Sequence, residues 1–393
     1  MILLQVIFWL CLLALIHSYV FYPFITWLLA RNPPGTLEKI ASPDEFPFVS
    51  ILLAAHNEET VIGDKLRSML QTDYPADRFE ILIGSDASTD NMDSIVNQFA
   101  AANPSLKFTR FHQRSGKISI INQLVTQSKG EILLLTDANV FFTPSTIGEL
   151  IRHFSRNEVA VVAGNIQPRR AQRKGVADQE SFYQRFENKL KHREGLLWGA
   201  MMGAFGGCYA VRRSFFSPTP SNFIVDDFYI TLAALEKGGK AISEPHAVCY
   251  EDVSELMKEE FRRKSRIGAG NFQILGRFWK LLSPARGGIA LAFLSHKVLR
   301  WLGPFFIAGT YLSSFVLARQ HPFYSICFWI ETILFLICLL DVMLSNFKIQ
   351  LPGARYISHF FVMNLALLNG FFKFITGIEH NVWQPTQRNQ SHG

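Results

Sequence analysis

The stretch LLLTDANVFF, residues 133–142, is an apolar run interrupted by Thr136, Asp137, Ala138 and Asn139. A carboxylate and an amide two positions apart at the end of a buried strand have two readings. Asp and Asn hydrogen-bond locally and begin turns. In open parallel sheets, ligands also bind beyond the carboxyl ends of the strands. The surrounding sequence has to choose between them.

Four other apolar runs share this form: FVSILLAA (48–55), FEILIG (79–84), LKFTRF (106–111) and VAVVAGN (159–165). EILLLT (131–136) belongs to the same set. Helical patterns lie between them, with Val61, Leu66, Met69 and Leu70 in one, residues 90–102 in the next and ISIINQLVTQ (118–127) in a third. Strands separated by helices of this length predict an α/β fold with a mainly parallel sheet and right-handed crossovers. Near-continuous apolar strands fit burial on both faces.

Each of the first four strands runs into a polar cluster. AAHNEE carries His56, Asn57, Glu58 and Glu59, and SDASTD carries Asp86 and Asp90. HQRSGK carries Arg114, Gly116 and Lys117, and TDAN carries Asp137 and Asn139. Any one of these serves equally well as a helix cap. Four on one sheet edge mark a ligand site. Carboxylates at two strand ends suit a ribose, a base edge and a divalent metal, and Arg114 and Lys117 suit phosphate. That is the donor set of a nucleoside diphosphate site. Neither G-x-G-x-x-G nor a Walker loop is present, which argues against a dinucleotide enzyme or an ATPase.

The 393 residues carry a formal charge of +7, from 39 basic and 32 acidic side chains. No basic stripe is interleaved with aromatics, so nucleic acid is not an expected partner. The five cysteines suggest neither a zinc site nor a disulfide framework. Hydrophobic residues make up 49%, with 35 Phe, and the excess lies at the two ends. Residues 2–30 are long enough to span a bilayer, for which about 20 helical residues suffice. They lack the marks of a cleaved signal peptide. Arg31 and Lys39 favour a cytoplasmic domain after this anchor. Residues 301–318 and 322–344 read as spans. In 356–377, Ser358, His359, Asn369 and Lys373 fall within about 100° on a helix wheel, so that segment either spans, re-enters or lies in the interface. Residues 256–300 mix Arg and Lys with Phe, Ile, Leu and Trp, as interfacial helices do; an ordinary solvated helix is the alternative. The expected organisation is an anchor (1–31), a cytoplasmic catalytic domain (44–255), amphipathic interfacial helices (256–300), transmembrane or re-entrant helices (301–378) and a tail (379–393). The expected location is an integral protein of the cell membrane, in contact with membrane lipids.

AAHNEE, GSDASTD, SGKISIIN and TDAN, followed by GAFGGCYAVRR (203–213), VDDF (225–228), RRKSRIGAGN (262–271) and WQPTQR (383–388), resemble the family 2 inverting glycosyltransferases of GT-A fold. The resemblance is to the membrane-embedded branch, with the cellulose, hyaluronan and poly-N-acetylglucosamine synthases and ceramide glucosyltransferase. It implies a Rossmann-like nucleotide-binding half. It also implies transfer of a sugar from a nucleotide donor, with UDP expected, to a glycan or lipid-linked acceptor. His56 and Glu58 would contact the nucleoside, and Asp86 the uracil. Lys117 would support the nucleotide. Asp137 and Asn139 would be the D-x-D element that holds Mg²⁺ or Mn²⁺ on the diphosphate. Asp227 would be the general base beside Asp226, although the pair also suits a helix N-terminus. Arg266 would meet the diphosphate, with Arg263 beside it at the nucleotide in place of the family's Gln, and Trp383, Thr386 and Arg388 would belong to a segment that closes over the nucleotide. The sequence departs from the family pattern at His56, commonly Tyr, at Ser85 and Asn139, often Asp, and at Ile267, usually Trp.

Two other classes compete. A non-catalytic membrane scaffold is favoured by the departures at Ser85, Asn139 and Ile267 and opposed by Asp86, Lys117, Asp137, Asp227 and Arg266. A transporter lacks support, because the spans show neither repeats nor the usual intramembrane charge. His112 and His246 are read as structural.

Overall fold

The computed structural model describes residues 1–31, 46–168, 176–251, 257–345, 347, 351 and 353–377. Its centre is an eight-stranded sheet: β1 (Val49–Ala55), β2 (Phe79–Asp86), β3 (Leu106–Phe111), β4 (Ile132–Thr136), β5 (Val140–Phe142), β6 (Val159–Pro168), β7 (Cys208–Arg212) and β8 (Lys240–Glu251). The spatial order is β3-β2-β1-β4-β7-β6-β8-β5. The first four strands in that order are parallel, the expected nucleotide-binding half. β7 is antiparallel to both β4 and β6, β8 is parallel to β6, and β5 closes the edge antiparallel to β8.

β2 and β4 are buried along their whole length, as their unbroken Ile and Leu runs require. The helices Glu59–Leu70, Met92–Ala102 and Lys117–Gln127 connect the parallel strands. Two hydrophobic clusters result. One contains Ile51, Leu66, Ile83 and Leu134. The other contains Leu52, Ile120 and Leu135 and continues through Tyr209 and Phe228 to Phe272 and Trp301. The second cluster runs from the sheet into the helices that follow it.

Three strands were not anticipated. β7 lies inside GAFGGCYAVRR, where glycines hide a short strand. β5 is only three residues long. β8 contains Pro245, and its pairing with β6 shifts register beside Ala163 and Asn165.

Among the described residues, three helices are long and apolar enough to cross a membrane: Ile2–Leu29, Pro322–Leu344 and Ala354–Thr376. The Gly303–Leu317 helix is shorter, because it starts at Gly303-Pro304 and stops before His321-Pro322. By length, then, the segment the sequence left open is long enough to span, and residues 301–318, read as a span, contain only a shorter helix. Ala354–Thr376 packs closely on the Met257–Phe278 helix, and the N-terminal helix packs on Gly303–Leu317. At the first contact, a Cβ on Gly370 would lie 2.8 Å from backbone atoms of Ser265, Gly268 and Ala269, and Asn369 Nδ2 donates to Ser265 Oγ at 3.1 Å.

A buried charged node joins the N-terminal helix to the rest. Glu194 accepts from the Tyr22 hydroxyl at 2.8 Å and from the amide of Met202 at 3.2 Å, and it meets His296 Nδ1 at 2.7 Å. Glu187 meets His296 Nε2, Lys297 and Arg300. The Arg300 guanidinium also donates to the carbonyl oxygen of Ser18.

Candidate active site

The loops after β1 and β2 are tied to each other. The Glu59 amide donates to Asp90 Oδ2 at 2.9 Å, and the Asn91 amide donates back to Glu59 Oε2 at 2.8 Å. Asp90 Oδ1 also takes the Met92 amide at the start of the next helix. Glu59 and Asp90 therefore act as caps, one of the two roles weighed for those clusters. Among the described residues, Asn57 and Ala87 are the non-glycine residues with positive φ, at 53° and 52°. Such backbone strain gathers at functional sites.

His56 is buried, and its Nδ1 donates to the Asp86 carbonyl oxygen at 2.7 Å. A carbonyl can only accept, so Nδ1 carries the proton and Nε2 is left as the acceptor. Burial, with help from Arg114, lowers the pKa of this imidazole and favours that neutral form. Glu58 is buried at the start of the Glu59–Leu70 helix.

Asp86 does more than the sequence suggested. Its carboxylate accepts the Ser115 amide at 2.6 Å, the Gly116 amide at 3.1 Å and Arg114 Nε at 3.1 Å. It holds the loop that presents Lys117. Gly116, with φ 80°, makes the turn into the Lys117–Gln127 helix in a conformation that suits glycine.

Lys117 Nζ lies 2.7 Å from Asp137 Oδ1 and 3.7 Å from Asp226 Oδ2. One ammonium thus joins the end of β4 to the Asp226–Glu236 helix. Burial works against its charge, but Asp137 and Asp226 outweigh that and raise its pKa. Asp226 is buried, and its Oδ2 has no hydrogen-bond partner. Asp227 Oδ1 accepts the Phe228 amide at 2.7 Å. Burial first, and Asp226 second, push the Asp227 carboxyl up to about 6, against the pull of Lys117 and Lys191. Both acids thus stand in the first turn of their helix and also face the Lys117 cluster.

Asn139 is buried, and its Nδ2 donates to Glu251 Oε1 at 2.9 Å. Arg266 is exposed and forms no ion pair with the described residues. Partial desolvation lowers its pKa, while Asp226, Asp137 and Asp227 raise it, which marks it as their electrostatic neighbour. Arg263 forms a two-point pair with Glu260, each contact at 3.0 Å, so its role here includes bracing its own helix. Trp383, Thr386 and Arg388 lie outside the described residues.

Three residues near this cluster escaped the sequence reading. Tyr209 on β7 is fully buried, with an unpartnered hydroxyl. Lys191 is buried with its ammonium 3.6 Å from the centre of the Phe205 ring. Lys65 is buried beneath the β4–β5 turn. A lysine in a helical pattern reads as solvated, and no local signal distinguishes these two.

Residues 50–218 match the family described as Glycosyl transferase family 2. The chain carries a family 2 glycosyltransferase domain. The chain is 26% identical over 269 residues to a probable glycosyltransferase, YdaM, of Bacillus subtilis, covering 64% of this chain and 62% of that protein. It is 24% identical over 305 residues to the poly-beta-1,6-N-acetyl-D-glucosamine synthase of Staphylococcus epidermidis, covering 76% of this chain and 70% of that one. It is 28% identical over 157 residues to a beta-monoglucosyldiacylglycerol synthase of Synechocystis, covering 36% and 33%. The match thus spans under two thirds of the Bacillus relative and one third of the Synechocystis one. Among solved structures, the mannosyltransferase PcManGT of Pyrobaculum calidifontis, in complex with GDP-Man and Mn²⁺, superposes with a TM-score of 0.69 at 19% identity. That alignment covers 95% of this chain and 99% of the other. The described sheet and its helices therefore share the fold of that structure, which is of GT-A type.

Proposed function

We infer that this protein is a membrane-bound inverting glycosyltransferase that moves a sugar from a nucleotide donor to a glycan or lipid-linked acceptor. The observation that carries the reading is the meeting of Lys117, Asp137, Asp226 and Asp227 at the carboxyl edge of the parallel strands. The expected donor is UDP-linked. The acceptor class is consistent with the relatives, which are named for a polysaccharide and for a glycolipid.

The residues fit a divalent cation. Asp137, Asp226 and Asp227 gather around one ammonium, and the buried Asp226 Oδ2, 3.7 Å from it, accepts no hydrogen bond. Asp137 would hold the ion, with the side-chain oxygen of Asn139 beside it once Nδ2 is committed to Glu251. Mg²⁺ or Mn²⁺ there would offset the charge of the diphosphate leaving group. Lys117, freed from Asp137, and Arg266 would add donors to the same oxygens. Arg263 would assist from the same helix, and His56, Glu58 and the Asp86-held loop would line the nucleoside.

Asp227 would take the proton from the acceptor hydroxyl as that oxygen attacks the anomeric carbon. The bond to the diphosphate oxygen breaks in the same displacement, so the anomeric configuration inverts and no glycosyl-enzyme forms. A carboxyl near 6 is largely ionised at neutral pH and is a better proton acceptor than an ordinary Asp.

The apolar helices support a membrane-embedded protein, the basic residues Arg31 and Lys39 after the first of them favour a cytoplasmic catalytic domain, and residues 256–300 would lie along the lipid surface. Trp279, Leu291 and Leu294 are exposed there. The organisation read from the sequence, 1–31, 44–255, 256–300, 301–378 and 379–393, is retained as part of this proposal.

The test is nucleotide release and sugar transfer by protein purified in nanodiscs, with UDP-sugars and GDP-mannose, in Mn²⁺ or Mg²⁺. Metal-dependent release from one donor, lost in Asp227→Asn and Asp137→Ala, is the expected result. No release from any donor, with no nucleotide binding by calorimetry, would overturn the reading in favour of a scaffold.

A further inference from the structure

Lys65 belongs to none of the polar clusters that follow the strands. It sits in the middle of the Glu59–Leu70 helix with its side chain wholly buried. The ammonium donates to Thr136 Oγ1 at 2.8 Å and to the carbonyl oxygen of Val140. It also lies 3.7 Å from the centre of the Phe142 ring. Thr136 is the residue before Asp137, and Val140 is the residue after Asn139. The lysine therefore grips the turn that carries both side chains, with one bond on each flank.

The grip extends further. Thr136 Oγ1 donates to the Gly207 carbonyl oxygen at 2.8 Å, and the Asp137 amide donates to the same oxygen at 3.3 Å. Gly207 follows Gly206, which abuts the Asp227 carboxylate. A single ammonium thus joins the Asp137–Asn139 turn to the loop against Asp227.

This ammonium is costly. Burial lowers its pKa to about 8, and no carboxylate stands within ion-pair distance among the described residues. Replacing a buried charge by an apolar side chain of similar shape is often neutral or stabilising. General stability therefore does not explain a lysine here. An apolar side chain could not bond two oxygens on opposite flanks of a short turn.

We propose that Lys65 is a positioning residue that fixes the separation of Asp137 and Asn139, so that both present oxygen to one divalent cation. This rests on the proposed role of Asp137 in holding the metal. Geometry and electrostatics make opposite forecasts. A nearby cation repels a metal ion, so electrostatics alone has metal binding tighten when Lys65 is neutralised. The positioning role has it weaken.

The experiment is calorimetric titration of UDP and of GDP, with and without Mn²⁺, into the full chain in detergent, as wild type, Lys65→Met and Thr136→Val. Thr136→Val keeps the volume and the lysine while removing one flank of the grip, so it decides the matter if Lys65→Met fails to fold. The expected result is metal-free nucleotide binding close to wild type in both variants, with a lower melting temperature in Thr136→Val, which strips one acceptor from a buried ammonium. The tightening by Mn²⁺ should be reduced by about 10- to 100-fold, the usual loss when a residue supporting a metal ligand is removed. A wild-type Mn²⁺ response that persists or strengthens in the variants overturns the role of Lys65 alone. A wild type with no Mn²⁺ response overturns the metal reading of Asp137, and the role of Lys65 with it.

Discussion

Gly206 lies directly against Asp227: a Cβ at position 206 would sit 3.0 Å from Asp227 Oδ2. The carboxylate proposed as base thus has no room for a methyl group on that side. Gly206→Ala should displace it by a few tenths of an ångström. Small misplacements of a reacting group cost heavily. The expected outcome is a fall in transfer of about tenfold or more, with nucleotide binding by calorimetry unchanged. Full activity in the alanine variant would remove Asp227 from contact with the acceptor.

The pH profile should report the same carboxyl. Asp227 is held up to about 6, so transfer should be lost as pH falls through that value and the base becomes protonated. Lys191 favours the ionised form of Asp227. Lys191→Met removes that help, so the acid limb should move to higher pH. An acid limb that stays in place in this variant would mean that Lys191 and Asp227 do not communicate.

Asp86 supplies a different prediction. Asp86→Ala leaves the Ser115 and Gly116 amides and the Arg114 guanidinium without their acceptor. Hydrogen bonds to a charged group contribute about 1.5–3 kcal/mol. The loop that presents Lys117 should loosen, and diphosphate nucleotides should bind about tenfold to a hundredfold more weakly. If Asp86 acted on the base alone, UDP binding would fall while binding of inorganic pyrophosphate stayed the same. Parallel loss of both is the outcome expected here.

Gly370 tests how the last apolar helix supports the site. Its Cα approaches the backbone of the helix that carries Arg266, and any side chain there must push the two apart. Gly370→Leu should destabilise the protein by about 1–3 kcal/mol. It should also weaken nucleotide binding through Arg266, measurable by a thermal melt and a UDP titration on the same sample. A melt and an affinity equal to wild type would mean that the two helices are not joined at this contact.

β1, β2 and β4 were legible because they are buried on nearly every residue, whereas β3, at the sheet edge and half exposed, was read from its place between two helical patterns. Lys117 and Asp137 were singled out for a related reason, since each lies in a polar cluster that follows a strand, whereas Asp226 and Asp227 entered only through the family resemblance. The antiparallel half was not legible. β7 is concealed by glycines and β8 contains a proline, and both owe their pairing to neighbours distant in sequence. Lys65 and Lys191 were missed because helical spacing alone does not tell a buried lysine from a solvated one. Asp86 was recognised as a site residue, but its three contacts within the protein depend on a loop 28 to 30 residues further along.

The Tyr22–Glu194 contact changes what the first helix can be taken for. Glu194 also receives the amide of Met202, at the start of the loop that runs to Gly206. A segment that only tethers could be cut away to leave a working soluble enzyme. Here the cut would strip a buried carboxylate of its hydroxyl partner and Arg300 of the Ser18 carbonyl. The sheet domain is joined to the first helix by buried polar contacts, so a fragment beginning after residue 31 would start with a wound in its own core.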